Sequence, residues 1–190
     1  MKFLKSFLKL IHEEINVLFM TLIAELPNSY LGSQIRSYYW AIFLKLPRFK
    51  VVGRGVYIYS KDKLSVGNNF EIGTHSTIDN NNSLGIFIGN NVVFARGVYL
   101  RTANHNFSDI NEPINMQGHN FKSVNFNNSK YSVVIEDNVW IGANVIILSG
   151  SHIGCGSILG AGSIVTGFLP AYSVCAGNPA RILYSRKILI

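Results

Sequence analysis

From Val51 onward an aliphatic residue returns at every sixth position, and this spacing constrains the fold more than any other feature of the chain. The clearest run reads Ile135-Glu-Asp-Asn-Val-Trp, Ile141-Gly-Ala-Asn-Val-Ile, Ile147-Leu-Ser-Gly-Ser-His, Ile153-Gly-Cys-Gly-Ser-Ile, Leu159-Gly-Ala-Gly-Ser-Ile, Val165-Thr. The same texture occurs earlier in Val66-Gly-Asn-Asn-Phe-Glu, Ile72-Gly-Thr-His-Ser-Thr, Ile88-Gly-Asn-Asn-Val-Val and Phe94-Ala-Arg-Gly-Val-Tyr. Such a period serves neither a helix, which repeats about every 3.6 residues, nor a strand that alternates every two. It suits a chain that turns a corner about every six residues, laying short flat strands coil upon coil. The first residue of each unit then stacks inward beneath its equivalent in the next coil, and the fifth fills the space beside it. Gly and Asn gather at the corners because they tolerate positive φ. The pattern predicts an all-β solenoid of about fifteen units, roughly five three-sided coils, over residues 51–183, followed by a tail over 184–190.

Two interruptions break the register. A small bulge between Ile78 and Ile88 contains Asn82 and Ser83. A much longer excursion, about 103–132, leaves after Leu100 and returns near Ile135; a connection of that length inside a compact array is usually functional or disordered. It carries His105 and Gln117-Gly118-His119.

Residues 1–50 have a different periodicity. Leu4, Leu8, Ile11, Ile15, Leu18, Leu22 and Leu26 recur at helical spacing, with Lys5, Lys9, Glu13 and Asn16 on the other side, so an amphipathic helix is expected up to Pro27. Ser33 is the expected N-cap of a second helix, whose apolar face would be Ile35, Tyr38, Tyr39, Ile42 and Leu46 and which Pro47 would stop. The interleaved lysines argue against a signal peptide, and Asn16 and Glu25 bracket a stretch too short to span a membrane. This helical appendage is expected to pack on the solenoid or on another subunit, with an anionic membrane surface as the alternative partner.

Seventeen Lys and Arg against ten Asp and Glu leave a net charge of +7. The basic residues are scattered, without the dense run that nucleic acid would call for, and a phosphate-rich small ligand or an anionic membrane accounts for them equally well. The two cysteines, Cys155 and Cys175, make neither a disulfide scaffold nor a metal-ligand spacing. They read as small packing residues and fit a reducing, cytoplasmic compartment.

Thr102-Ala103-Asn104-His105, then Asp137-Asn138-Val139-Trp140-Ile141-Gly142-Ala143-Asn144, then Gly160-Ala161-Gly162-Ser163, and the ending Ala176-Gly177-Asn178-Pro179-Ala180-Arg181 together resemble the hexapeptide-repeat, left-handed β-helix acyltransferases. The resemblance is to the galactoside and maltose O-acetyltransferase branch, and within it to sugar O-acetyltransferases of surface-polysaccharide biosynthesis. It implies transfer of an acetyl group from acetyl-CoA to a hydroxyl of a sugar or lipid-linked saccharide, in homotrimers whose sites lie between neighbouring β-helices. By position His105 would be the general base, and imidazole suits that role because its pKa lies near the operating pH.

The family pattern also implies binding residues. Ala143 and Ala161 stand where the pantetheine arm meets the main chain, and Thr166 near the CoA nucleotide. Arg181 is the candidate for a CoA phosphate, with Arg186 and Lys187 behind it. Here the chain departs from the family, having Gly167 where a basic residue commonly follows the threonine. Trp140, sixth in its unit, should point outward, toward CoA or a neighbouring subunit. Asn82, Ser83, His75 and His119 are the acceptor-side candidates, and His119, Asp109 or Glu112 could orient His105. His152 and His12 read as surface residues. Two other enzymatic acceptors stay open, a nucleotide-sugar amine and an amino acid, as does a non-catalytic scaffold. A zinc hydratase on the same fold would need three converging histidines, and His105, His119 and His152 are too widely spaced for that, so no metal is expected.

Overall fold

The structure, a computed structural model, describes residues 2–59, 63–80 and 83–188. Side chains at 2–5, 8, 9, 12 and 13 are outside the described set, and with them the expectations for Leu4, Leu8, Lys5, Lys9, Glu13 and His12. The hexads build a left-handed parallel β-helix with three flat faces. The first face stacks Val51–Val52, Glu71–Ile72, Val93–Phe94, Trp140–Ile141, Ile158–Leu159 and Ser173–Ala176. The second stacks Tyr57–Tyr59, Thr77–Asp79, Tyr99–Arg101, Ile146–Ile147 and Ile164–Val165. The third stacks Leu64–Val66, Ile86–Ile88, Val133–Ile135, Ser151–Ile153 and Phe168–Leu169. The first face thus carries one parallel strand more than the others, which extends the solenoid slightly beyond the five coils expected.

Each face contributes an inward column in register. Val52, Ile72, Phe94, Ile141, Leu159 and Cys175 form the first, all buried, so Cys175 does fill an aliphatic slot. Ile58, Ile78, Leu100, Ile147 and Val165 form the second. Corners turn through a left-handed residue at the fourth hexad position, filled by Asn69, Asn91, Asn138 and Asn144, by Gly97 and Gly162, and by His75 at φ 57°. A serine at the fifth position is buried too, and its hydroxyl bonds a corner carbonyl: Ser163 Oγ donates to Gly160 O at 2.6 Å and Ser157 Oγ to Pro170 O at 2.9 Å.

The excursion is ordered in two parts. Asn104–His105 pairs antiparallel with His119–Asn120, and a hairpin of Val124–Phe126 and Ser129–Tyr131 follows. Phe126 of the hairpin packs against Phe87 of the third face, ring centroids 4.9 Å apart, and edge-on against His152. His152 is therefore not the free surface residue expected. Its ring lies between Phe126 and Phe168, and its Nε2 is 2.6 Å from Glu136 Oε1.

The two ends of the solenoid are closed differently. At the C-terminal end Arg181–Ser185 folds back antiparallel on Ser173–Ala176, so this strand runs two residues past 183. At the other end lie helices α1 (Lys2–Ala24) and α2 (Tyr30–Leu44). Ser29, not Ser33, caps α2, its hydroxyl accepting from Gly32 N at 3.1 Å. Ser33 lies inside the helix, and its Oγ accepts from Val52 N at 3.1 Å.

The orientation of α2 departs from the sequence expectation. Tyr39 and Leu46 pack on the core, but Ile35, Tyr38 and Ile42 face outward, Ile42 at 77% exposure. Buried in their place are Gly32, Arg36, Ser37, Trp40 and Leu44. The reason is the surface that α2 meets. The first strand has no coil beneath it, and its backbone groups need partners. Arg36 Nε donates to Val52 O at 2.9 Å, Arg36 Nη1 to Leu26 O at 2.7 Å, and the Ser37 hydroxyl to Phe49 O. Burial, with the Arg54 charge acting the same way and Glu25 opposing, lowers the Arg36 pKa from the ordinary arginine value. Helix α1 likewise touches the body through Met20 and Ala24, and Ala24 O accepts from Gly55 N at 2.8 Å. Its apolar stripe of Ile11, Ile15, Leu18 and Leu22 is exposed.

This inversion makes opposite forecasts for two neighbouring positions. Arg36→Met should lower the free energy of unfolding in urea by about 3 kcal/mol, because it strands buried carbonyls. Ile42→Ser should change it by no more than about 0.5 kcal/mol, as an outward position does.

Candidate active site

The excursion leaves the solenoid from a clamp on the second face. Asp79 and Arg101 are register partners, and Arg101 Nη1 donates to Asp79 Oδ2 at 2.8 Å and to the Tyr99 hydroxyl at 3.2 Å. The Tyr99 hydroxyl first, and Asp79 after it, raise the Arg101 pKa from the ordinary value against partial burial. Arg101 Nε also donates to Ala103 O at 2.8 Å, while Thr102 donates its N–H and its hydroxyl to Asp79 O, each at 3.1 Å. Thr102 and Ala103 are buried, and the next two residues emerge into solvent.

His105 is the second of those. Its register partner is His119, and the two imidazoles stack with centroids 5.0 Å apart at 29°. Asn106 N donates to Gly118 O at 3.0 Å. The loop tip is held by Gln117, whose Nε2 donates to Asp109 O and Glu112 O at 2.7 Å each and whose Oε1 accepts from Asp109 N at 3.0 Å. Asp109 Oδ1 accepts from Asn111 N at 2.9 Å, so this carboxylate serves the tip.

The remaining candidates fall on two different edges of the prism. Ser83 is on the same side as His105, where its hydroxyl donates to Asn80 Oδ1 at 2.7 Å and accepts from Gly85 N at 3.1 Å. Asn82 lies outside the described residues. Thr166 follows the second-face strand Ile164–Val165, where that face meets the third, and is exposed. Trp140, Ala143 and Ala161 lie instead on the first face and at the corner where it passes into the second. Trp140 points outward, 53% exposed, as its hexad position requires. His75 occupies the same corner column as Asn144 and Gly162, its ring lying over Gly55. Arg181 begins the strand that folds back on the first face and is exposed. Arg186 donates to Gly156 O and Lys187 sits 4.9 Å from the Tyr172 ring centroid, so both are engaged with the fold behind it.

Third-position residues at this corner share a property that the sequence shows only as small side chains. The Ala143 carbonyl accepts from Gly162 N at 2.8 Å, but the N–H groups of Ala143 and Ala161 make no hydrogen bond within the described chain. They are unpaired donors beside a bare Cβ, Ala143 half-buried and Ala161 exposed. Arg96, which sequence reasoning passed over, stands directly below Ala143 in that column, exposed. Its signal was its hexad position, third like the two alanines.

Two clefts of about 390 and 320 Å³ lie elsewhere, around the hairpin and against Asn90, Glu136, Asp137 and Cys155. The carboxylates of the smaller cleft, Glu136 and Asp137, are taken up by His152, the Cys155 N–H and Asn90. Among the described residues, no three His, Cys, Asp or Glu side chains are grouped as metal ligands.

Comparison with known proteins accords with this geometry. Residues 132–167 match the family model of the bacterial transferase hexapeptide (six repeats). The chain is 32% identical over 136 residues to a putative lipopolysaccharide biosynthesis O-acetyl transferase of Escherichia coli, covering 72% of this chain and 64% of that one. It is 31% identical over 139 residues to the galactoside O-acetyltransferase of the same organism, covering 71% and 63%. Residues 132–167 thus carry the hexapeptide repeat of bacterial transferases, and the similarity to these acetyltransferases extends well beyond them. Among solved structures, a hexapeptide-repeat acetyltransferase from Vibrio cholerae complexed with acetyl coenzyme A shares the fold, with a TM-score of 0.68 at 23% identity over 87% of this chain and 82% of that one. The chain spans about half the length of several curated relatives it matches, 44% in three of them.

Proposed function

We propose that the protein is an O-acetyltransferase that moves an acetyl group from acetyl-CoA to a hydroxyl of a sugar or lipid-linked saccharide, with His105 as general base. The names of its relatives support the reaction class, and the free donor row at Ala143 and Ala161 supports the donor. His105 takes the proton of the acceptor hydroxyl as that oxygen attacks the thioester carbonyl carbon. The C–S bond then breaks, and the imidazolium returns its proton to the departing thiolate. No covalent enzyme intermediate is needed, because a thiolate is already a good leaving group. Trp140, Arg96 and Arg181 border the donor row, and Asn82, Ser83 and His75 remain the acceptor-side residues.

The observation that carries the assembly is the division of the site. His105, His119 and Thr166 occupy one edge of the second face, whereas His75, Ala143 and Ala161 occupy the other. A single prism keeps these groups apart. A closed ring of three, in which one copy's His105 edge meets the next copy's alanine edge, makes three complete sites from heterologous contacts.

Membrane contact at the cytoplasmic face belongs to the same proposal. No described helix is long and apolar enough to cross a membrane. The outward faces of α1 and α2 nonetheless present Leu18, Leu22, Leu31, Ile35, Tyr38 and Ile42, and Lys45 and Arg48 flank them. Arg48 sits 3.9 Å over the Tyr38 ring. Residues 1–50 hold seven Lys and Arg against three Glu, which suits anionic headgroups.

Three outcomes follow. His105→Ala should bind acetyl-CoA like wild type in calorimetry yet lose about 10²–10⁴-fold in kcat, the usual contribution of a general base. Weak acetyl-CoA binding by wild type itself would overturn the donor assignment. Next, His105→Ala co-assembled with Ala143→Trp, each inactive alone, should recover about a quarter of wild-type activity, because randomly mixed rings contain interfaces with both halves intact. No recovery would place the site within one chain. Finally, full-length Ile35→Glu/Ile42→Glu protein should partition about tenfold less to phosphatidylglycerol-containing vesicles than wild type. Equal partitioning would remove the membrane from the proposal.

A further inference from the structure

We propose that His119 is a positioning residue for His105, its ring forming the platform that holds the base in one orientation. The inference rests on the functional reading above and names how that site is kept in order. His105 is exposed on a two-residue strand, and its ring has no hydrogen-bond partner among the described residues. An imidazole in that setting would sample several staggered rotamers, and a base outside its productive geometry is of little use. The carboxylates that could have oriented it do not reach it. Asp109 is committed to the loop tip, where Gln117 also holds the Glu112 carbonyl. What does meet the ring is His119, 5.0 Å away and nearly parallel.

Gln117, Gly118 and His119 deliver that contact as a unit. Gln117 ties the tip through three hydrogen bonds. Gly118, at φ 75°, turns the chain through a conformation that a side chain would disfavour, and its carbonyl accepts from Asn106. The ladder then sets His119 opposite His105 and Asn120 opposite Asn104. The return strand therefore has one register in which a ring can cover the base, and the chain places a flat aromatic side chain there. The stack also acts on charge. When His105 has taken the hydroxyl proton, the imidazolium lies within about 6 Å of a ring face, the range over which cation–π attraction operates. His119 itself neither gives nor receives a proton in the reaction.

The test compares full-length wild type, His119→Ala and His119→Phe, using acetyl-CoA and whichever saccharide acceptor wild type turns over, with His105→Ala as the inactive reference. His119→Ala should lose about tenfold in kcat with the KM for acetyl-CoA unchanged, and His119→Phe, which keeps a flat ring, should return to within about threefold of wild type. A wild-type kcat in His119→Ala overturns the proposal. So does a Phe variant as slow as the Ala variant, which would make the imidazole itself the requirement, and so does a raised KM at unchanged kcat. A second readout needs no turnover. In protein with 13C-labelled histidine, the His105 Cε1–H resonance, assigned from its absence in His105→Ala, should shift when the His119 ring is removed. An unshifted resonance overturns the stack. If wild type transfers acetyl to no acceptor, the functional reading fails, while the resonance still reports on the stack.

Discussion

In a parallel solenoid each strand satisfies its backbone only through the strands above and below it, so the molecule is unfinished at both ends. The segments that flank the hexads answer to that condition. At the C-terminal end the chain turns through Gly177-Asn178-Pro179 and covers the last first-face strand with Arg181–Ser185. At the N-terminal end the open edge is met by side chains. Ser33, Arg36 and Ser37 pair with Val52 and Phe49, while Trp40 and Leu44 join the aromatic run of Phe49, Phe70 and Phe94 that closes the core. A helix that spends its polar residues on an edge must show its apolar ones elsewhere. The outward stripe of Leu31, Ile35, Tyr38 and Ile42 is therefore a consequence of how the solenoid is capped.

That consequence explains what could be read from the sequence. The hexad columns were legible down to single residues, with Trp140 as an outward ring and Cys175 as a packing residue, because coil stacking repeats one environment many times. The face of α2 was not legible. Helical periodicity identifies an apolar stripe, but the assumption that the stripe faces the core fails where the core's surface is an unpaired strand. Ser33 was misread as a cap for the same reason. Its hydroxyl is spent on Val52 N, while Ser29, one turn earlier, holds the helix end. His152 looked like a surface residue because the hairpin that covers it comes from outside the repeat, and no periodic signal links Phe126 to the third face.

The candidate site was partly legible for a related reason. Motif positions picked out His105 and the two alanines, but not how the fold distributes them. Excursion and donor row leave the solenoid at opposite edges of the second face, so their separation is written in the phase of the hexads: His105 follows a second-face strand, whereas Ala143 precedes one. Equally, the free N–H groups of Ala143 and Ala161 are not a special feature of those residues. Along this edge the carbonyls of Arg54, Thr74, Arg96 and Ala143 are each used by the corner above, and the third-position N–H groups are left over, whereas at another corner Asn68 and Asn90 give theirs to side chains of the next coil. Thr74 and Arg96 stand in the same column, and what distinguishes the alanines is that nothing beyond Cβ shields their donors. The fold generates donors along the whole edge, and side-chain size selects which can be reached.

The proposed base, His105, is built on the opposite principle. A rigid repeat can place a backbone donor to within a few tenths of an ångström, but its outward side chains stand on flat faces with no neighbour to fix their rotamers. Putting His105 on the excursion gives it a second strand to pair with and therefore a second ring to lie against. The excursion must then be as rigid as the coils, and its two anchorages supply this. Arg101, Asp79 and Thr102 lock the exit, and Phe126 locks the return onto Phe87. Between the anchors, the Gln117 amide does for the loop tip what a neighbouring coil does for a strand, supplying partners to backbone groups that would otherwise have only solvent.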